Sequence, residues 1–161
     1  MGIGSHQSSR MKSEDWLTPP KIITALGSFD LDPCTPEKMP WKTAERRYTI
    51  KENGLWMPWH GRVWLNPPYG RDAIKWVSKL SDHGNGIALV FARTETNLFF
   101  RFVWPKASAL LFLKGRLHFY SIDGLKVKHN GGAPSVLIAY GSQNAKALEF
   151  CNIKGAFVRL K

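Results

Sequence analysis

Acidic side chains and cysteines are scarce in this chain, and long apolar runs are missing from it. Twelve Asp and Glu stand against twenty-three Lys and Arg, a formal net charge of +11. An excess of that size in one small domain makes a polyanion the expected partner, and nucleic acid is the commonest. The two cysteines, Cys34 and Cys151, lie far apart, which argues against a disulfide framework and a zinc knuckle. A reduced, cytoplasmic setting is therefore expected. The five histidines show no ligand spacing, so no metal is expected. No segment has the apolar length needed to span a membrane, and the N-terminus shows no apolar signal-peptide region. Oligomeric state leaves no mark in the sequence.

What is there is one domain with an ordinary apolar fraction of 43%, enough to bury a core. Residues 1–14, rich in Gly, Ser and polar groups, read as a flexible lead-in, and residues 15–161 as the folded domain. Thr18 is placed to cap a short helix with Pro19 at its first position, Ile22, Ile23 and Leu26 inward and Gly27 at its end. Phe29–Asp32 reads as a short strand broken by Pro33. Cys34–His60 has poor periodicity, with one helical turn expected around Thr43–Arg47. Strand Arg62–Leu65 is followed by a helix over 71–83 that points Ile74, Val77 and Leu80 inward. The same helix carries Arg71, Lys75 and Lys79 as a basic stripe. Gly86–Phe91 is a continuous apolar run, as expected of a parallel strand covered on both faces. A helix over Glu95–Val103 stops at Pro105. Strands are expected at Ala109–Leu113, Arg116–Tyr120, Val136–Tyr140 and Ala156–Leu160, with a helix near Gln143–Phe150. Helices alternating with strands, then a strand-rich end, predict an α/β Rossmann-like open sheet, mostly parallel with antiparallel C-terminal strands.

One tetrapeptide stands out. Asn66-Pro67-Pro68-Tyr69 follows the apolar Val63-Trp64-Leu65, and two consecutive prolines forbid both helix and central-strand pairing. A stiff turn at a strand end therefore holds the Asn66 side-chain oxygen and the Pro67 carbonyl oxygen in fixed relation, beside Tyr69. Two preset acceptors and an aromatic face suit a planar amino group such as N6 of adenine. In open sheets ligands bind where strand C-termini meet loops. Asp32-Pro33-Cys34, Asn66–Tyr69 and Arg93-Thr94 each follow a strand and are expected to line one crevice.

These segments resemble the amino-methyltransferases that use S-adenosylmethionine, and in particular the phage-type DNA N6-adenine methyltransferase family. Trp16-Leu17-Thr18-Pro19-Pro20, Leu31-Asp32-Pro33-Cys34, Trp64–Gly70, Ala92–Thr96 and Gly115–Phe119 carry the resemblance through their order and spacing. It implies S-adenosyl-L-methionine as cofactor and DNA as partner. It also implies Asn66, Pro67, Pro68 and Tyr69 as the catalytic turn, with Trp16, Thr18, Pro19, Asp32, Pro33 and Cys34 at the cofactor. By the same resemblance Tyr69 stacks on a base that has left the duplex; the alternative for Tyr69 is a core aromatic. Asp32 either contacts cofactor or caps its own turn. An acidic side chain usually holds the cofactor ribose, and Glu37, Glu45 and Glu52 are all candidates. Where the wider superfamily has a Gly-rich loop after the first strand, Thr35-Pro36-Glu37-Lys38 has no glycine.

Arg71, Lys75, Lys79, Arg93 and Arg116 are the candidate DNA contacts, with a solvated helix face or internal ion pairs as their alternatives. Other readings keep the turn and change its use: an RNA adenine, a protein glutamine amide, or a catalytically inactive basic DNA-binding domain. The loops Cys34–His60 and Ser121–Pro134 are the places where a target sequence would be read.

Overall fold

A computed structural model describes residues 16–128 and 132–161. The lead-in expected at 1–14 lies outside the described residues, as does 129–131 of the second candidate specificity loop. Seven strands form one sheet: β1 (Leu31–Asp32), β2 (Arg46–Arg47), β3 (Val63–Leu65), β4 (Gly86–Phe91), β5 (Ala109–Leu113), β6 (Ser135–Tyr140) and β7 (Gly155–Arg159). Three helices join them, α1 (Pro20–Leu26), α2 (Ala73–His83) and α3 (Ser142–Phe150). The strand order is β2-β1-β3-β4-β6-β5-β7.

β1 pairs in parallel with β2 and β3, and β3 with β4, whereas β4–β6, β6–β5 and β5–β7 are antiparallel. The expectation of a mostly parallel sheet is corrected: half the pairings are antiparallel, and the change begins beside the central β4. β6 enters between β4 and β5, and an antiparallel neighbour needs no crossover helix. The result is a mixed α/β sheet.

Alternate residues of each strand supply two cores, as expected where both faces are covered. Trp64, Ile87, Leu89 and Leu137 pack with Ile22, Ile23 and Leu26 of α1 and Leu148 of α3. Val63, Leu65, Ala88 and Val90 pack with Trp76, Val77 and Leu80 of α2. Each large apolar side chain buried this way contributes roughly 1.5–3 kcal/mol. The inward face of α2 thus includes Trp76, while Ile74 is only half-buried. Gly84 ends α2 in the left-handed conformation, φ 75°, its N–H donating to the Leu80 carbonyl.

Four local expectations fail for identifiable reasons. Pro19 precedes a second proline and is held extended (ψ 135°), so α1 starts at Pro20 and Thr18 makes no capping bond. Thr43–Arg47 forms no helical turn: the open edge of β1 recruits Arg46–Arg47 as a strand, with Arg46 N–H donating to Asp30 and Tyr48 N–H to Asp32. Arg116–Tyr120 is no strand, because both edges of β5 are already paired. After Gly115 (φ 76°) the chain leaves the sheet and Tyr120 bridges to Leu17 instead. The helix expected over Glu95–Val103 is mainly one wide π-helical turn at Phe99–Val103, closed by Trp104 N–H donating to the Phe99 carbonyl.

The edge of the sheet opposite the strand C-termini is tied by Arg62 and Asn144. Arg62 donates to Asn144 Oδ1 (2.6 Å) and to the Ser28 carbonyl (2.8 Å), and Asn144 donates to Asn85 Oδ1 (2.9 Å) and the Tyr140 carbonyl (2.8 Å). Buried polar groups that satisfy one another rigidify the frame. They leave the other end open for a site.

Candidate active site

The strand order reverses beside β1. The chain goes from β1 to β2 on one side and then to β3 on the other, and open α/β sheets bind ligands outside the strand C-termini at such a point. Asp32-Pro33-Cys34 leaves β1 there and Asn66–Tyr69 leaves β3. Both line a cavity of about 770 Å³, in the range of small-molecule sites. Trp16, Thr18, Ile50, Trp76 and Ile122 help to close it. Pro19 lies outside it, facing a second groove.

Asn66 is held in one orientation. Its Nδ2 donates to the Trp16 carbonyl at 2.7 Å, while Oδ1 is buried with no partner among the described residues. Turning the amide over would set two oxygens against each other at Trp16, so the network assigns oxygen to the unpaired position. An unpaired buried acceptor costs about 1–3 kcal/mol, which an incoming N–H removes. Among the described residues no donor reaches the Pro67 carbonyl either. Thr18 Oγ1 and the Tyr69 hydroxyl are likewise buried and unpaired.

The Tyr69 ring stacks on Phe91, centroids 4.3 Å apart and planes 27° apart, and meets Phe119 edge-on at 5.8 Å. The aromatic therefore packs against the core and lines the cavity at once. Burial pushes its phenol well above the ordinary value of 10.0, so it stays protonated.

Asp32 caps its own turn. Oδ1 accepts from Cys34 N–H (3.1 Å), Oδ2 accepts from Thr43 Oγ1, and Thr35 Oγ1 donates to the Asp32 carbonyl (3.2 Å). Burial raises its pKa above the ordinary 3.8, against the lowering pull of Thr43, Cys34, Thr35 and Arg47. No glycine follows β1, but Gly54 arrives from another loop, and a Cβ there would collide with the Pro33 carbonyl oxygen. Of the three candidate ribose acids only Glu37 lines the cavity. It is paired with Lys51 at 3.2 Å, while Glu45 is paired with Lys42 at 2.7 Å. Glu52 accepts from Thr49 N–H and Oγ1, bonds that lower its pKa.

The candidate DNA contacts scatter. Arg93 is exposed and outside the cavity, against the expectation of one crevice: its segment folds back, with Arg93 N–H donating to Phe91 and the Arg93 carbonyl accepting from Thr96. Arg71 is exposed, and Lys75 is paired with Asp72 at 2.8 Å. Lys79 turns to the protein and donates to the carbonyls of Gly54 (3.3 Å), Leu55 (2.8 Å) and Met57 (2.6 Å), its ammonium 5.1 Å from the Trp59 ring. Desolvation lowers its pKa. Arg116 lines the second groove. Sequence reasoning missed the Trp16 carbonyl, Thr43, Gly54 and Lys79 as supports of the site. Only Gly54, a glycine inside an irregular loop, carried a local signal. Among the described residues no cluster of His, Cys, Asp and Glu could hold a metal, and no helix is long and apolar enough to cross a membrane.

An oriented amide with an unpaired oxygen thus stands beside a second carbonyl without a donor, on residues that line an open-sheet cavity. The chain belongs to the DNA N-6-adenine-methyltransferase (Dam) family, which it matches over residues 5–153. It is also 29% identical over 124 residues, 72% of the chain, to a DNA N-6-adenine-methyltransferase of Escherichia phage T1. The chain spans about half (51%) of that relative's length. No solved structure matches.

Proposed function

We propose that this protein transfers a methyl group from S-adenosyl-L-methionine to N6 of adenine in DNA. The observation that carries the reading is the Asn66 amide, clamped at Nδ2 and bare at a buried Oδ1, within the family's Asn-Pro-Pro-Tyr turn. The cavity suits the cofactor in size, and Thr18 and Asn66, which line it, each carry a buried unpaired oxygen of the kind a bound polar molecule satisfies. Trp16, Thr18, Pro33, Cys34 and Glu37 would hold it, Glu37 at the ribose hydroxyls. When bound, the cofactor supplies an electrophilic methyl group. The β1 to β4 half of the sheet, with its switch point, supports the Rossmann-like reading.

Asn66 Oδ1 and the Pro67 carbonyl would accept the two N6 protons of the target adenine. Both bonds strengthen as the nitrogen gains positive charge, so they favour the transition state over the ground state. Pro67 and Pro68 keep the two acceptors from moving, and fixed geometry contributes through positioning. Tyr69, backed by Phe91, offers a rigid edge of the pocket to a base that must leave the duplex to be reached. The net charge of +11 favours a nucleic acid over a protein amide as acceptor.

A labelled-methyl transfer assay with unmethylated DNA, methylated DNA, RNA and bulk protein as parallel acceptors tests the reading. Label entering unmethylated DNA above the others is expected. Label entering RNA or protein instead moves the chemistry to another substrate. Calorimetric titration addresses the inactive alternative: absence of cofactor binding would leave a DNA-binding domain without catalysis.

A further inference from the structure

A second groove, of about 1130 Å³, opens between α1, the segment after β5 and the end of α3. Lys21, Lys114, Arg116, Lys126 and Lys154 line it, and no Asp or Glu does. None of the five is ion-paired among the described residues, whereas Lys42, Lys51, Lys75, Lys106 and Arg159 each hold a carboxylate. The chain thus pairs part of its positive charge with its own acids and leaves these five bare on one concave surface. Like charges brought together repel, and among the described residues no carboxylate pairs with these five. The backbone imposes part of the arrangement: Lys114 N–H donates to the Lys154 carbonyl at 2.9 Å, and an antiparallel bridge sets Lys126 beside Tyr120, which also lines the groove. His118, which also lines the groove, has a buried Nδ1 without a partner among the described residues.

The groove adjoins the candidate active site. Leu17, which lines the cavity, bridges to Tyr120, which lines the groove, and Trp16 packs edge-on against Phe119 at 5.0 Å. A strand running in the groove would pass beside the Asn66 turn.

We propose that this groove is the track for the phosphodiester backbone of the DNA, with Lys21, Lys114, Arg116, Lys126 and Lys154 as its phosphate contacts. The inference rests on DNA being the acceptor. It moves the interface from the α2 stripe, where Lys75 and Lys79 have protein partners, to the opposite side of the Asn66 turn.

Binding of a fluorescent unmethylated duplex, measured by anisotropy against salt concentration, is the test. Lys114→Gln with Lys154→Gln should reduce the slope of log K against log salt by about 1.8, or about 0.9 for each phosphate left without its lysine. Affinity at low salt should fall on the order of tenfold or more. Cofactor binding by calorimetry should not change, which shows that the fold and the cavity survive. Lys42→Gln with Lys75→Gln should leave the slope as it was. A groove variant with the wild-type slope, or a control variant that flattens it equally, overturns the proposal. Wild-type protein that binds cofactor but no duplex overturns the DNA reading as well, so the two failures are distinguishable.

Discussion

The proposed chemistry turns on the Asn66 amide, whose two ends stand in different surroundings. Nδ2 donates to the Trp16 carbonyl, and Oδ1 is buried without a partner among the described residues. Asn66→Ala should lower methyl transfer by about 10²–10³, as loss of one preorganised partner typically does, while costing only about 1 kcal/mol of stability. Turnover and chemical denaturation measured together check both halves. Asn66→Asp keeps an acceptor but turns a carboxylate on the Trp16 carbonyl, so it should lose stability as well as activity. At Tyr69 the ring matters and the hydroxyl is a buried donor without a partner. Tyr69→Phe should therefore keep turnover within a few-fold and not lower the melting temperature. Asp32 yields a pH prediction. Its folded pKa is raised, so the native state takes up this proton at higher pH than the unfolded chain does. Wild-type stability relative to Asp32→Asn should rise as pH falls through the folded value towards the ordinary 3.8. Thermal unfolding of both proteins across that window checks it, and a falling difference would contradict the sign. That the chain leaves β3 at Asn66 was legible because prolines and a strand end are local signals. The Trp16 carbonyl that orients Asn66 was not, because a partner fifty residues away leaves no trace in spacing.

The best-read elements were those with continuous apolar runs. Gly86–Phe91 and Ala109–Leu113 match β4 and β5 end to end, since an apolar run bounded by turn residues has little choice. β2 was illegible: two exposed arginines show no pattern, and only the open edge of β1 makes them a strand. Lys79 shows the same limit in a helix. Helical spacing put it in a stripe with Arg71 and Lys75, but the loop it meets comes from another part of the chain. Because Lys79 holds three carbonyls of the loop that reaches Pro33 through Gly54, its support of the cavity is expected to be indirect. Lys79→Ala should cost about 1 kcal/mol of stability and raise the KM for cofactor more than it lowers kcat. Gly54→Ala should do the same more severely, because the collision is with backbone. Steady-state kinetics on both variants separates this from a DNA contact, which would raise the KM for DNA instead.

At the scale of the molecule, a sheet that is parallel on one side and antiparallel on the other places the switch point, the Asn66 turn and the cavity together. The antiparallel side carries β5, β6 and β7, and the segment leaving β5 supplies much of the basic groove. The alternation of helices and strands made the class of fold legible. The position of β6 between β4 and β5 was not, since strand order is a matter of edges and not of local pattern. Composition shows an excess of cations but not which of the twenty-three hold a carboxylate of the protein; that needed the ion pairs. The central claim is that the Asn66 oxygen receives the N6 amino group of an adenine in DNA. The most direct measurement is mass spectrometry of nucleosides from unmethylated duplex incubated with S-adenosylmethionine and either wild-type protein or Asn66→Ala. N6-methyldeoxyadenosine is expected as the methylated product with wild type, and its loss with Asn66→Ala. A methyl group on another base, or undiminished N6-methyldeoxyadenosine from the variant, would contradict it.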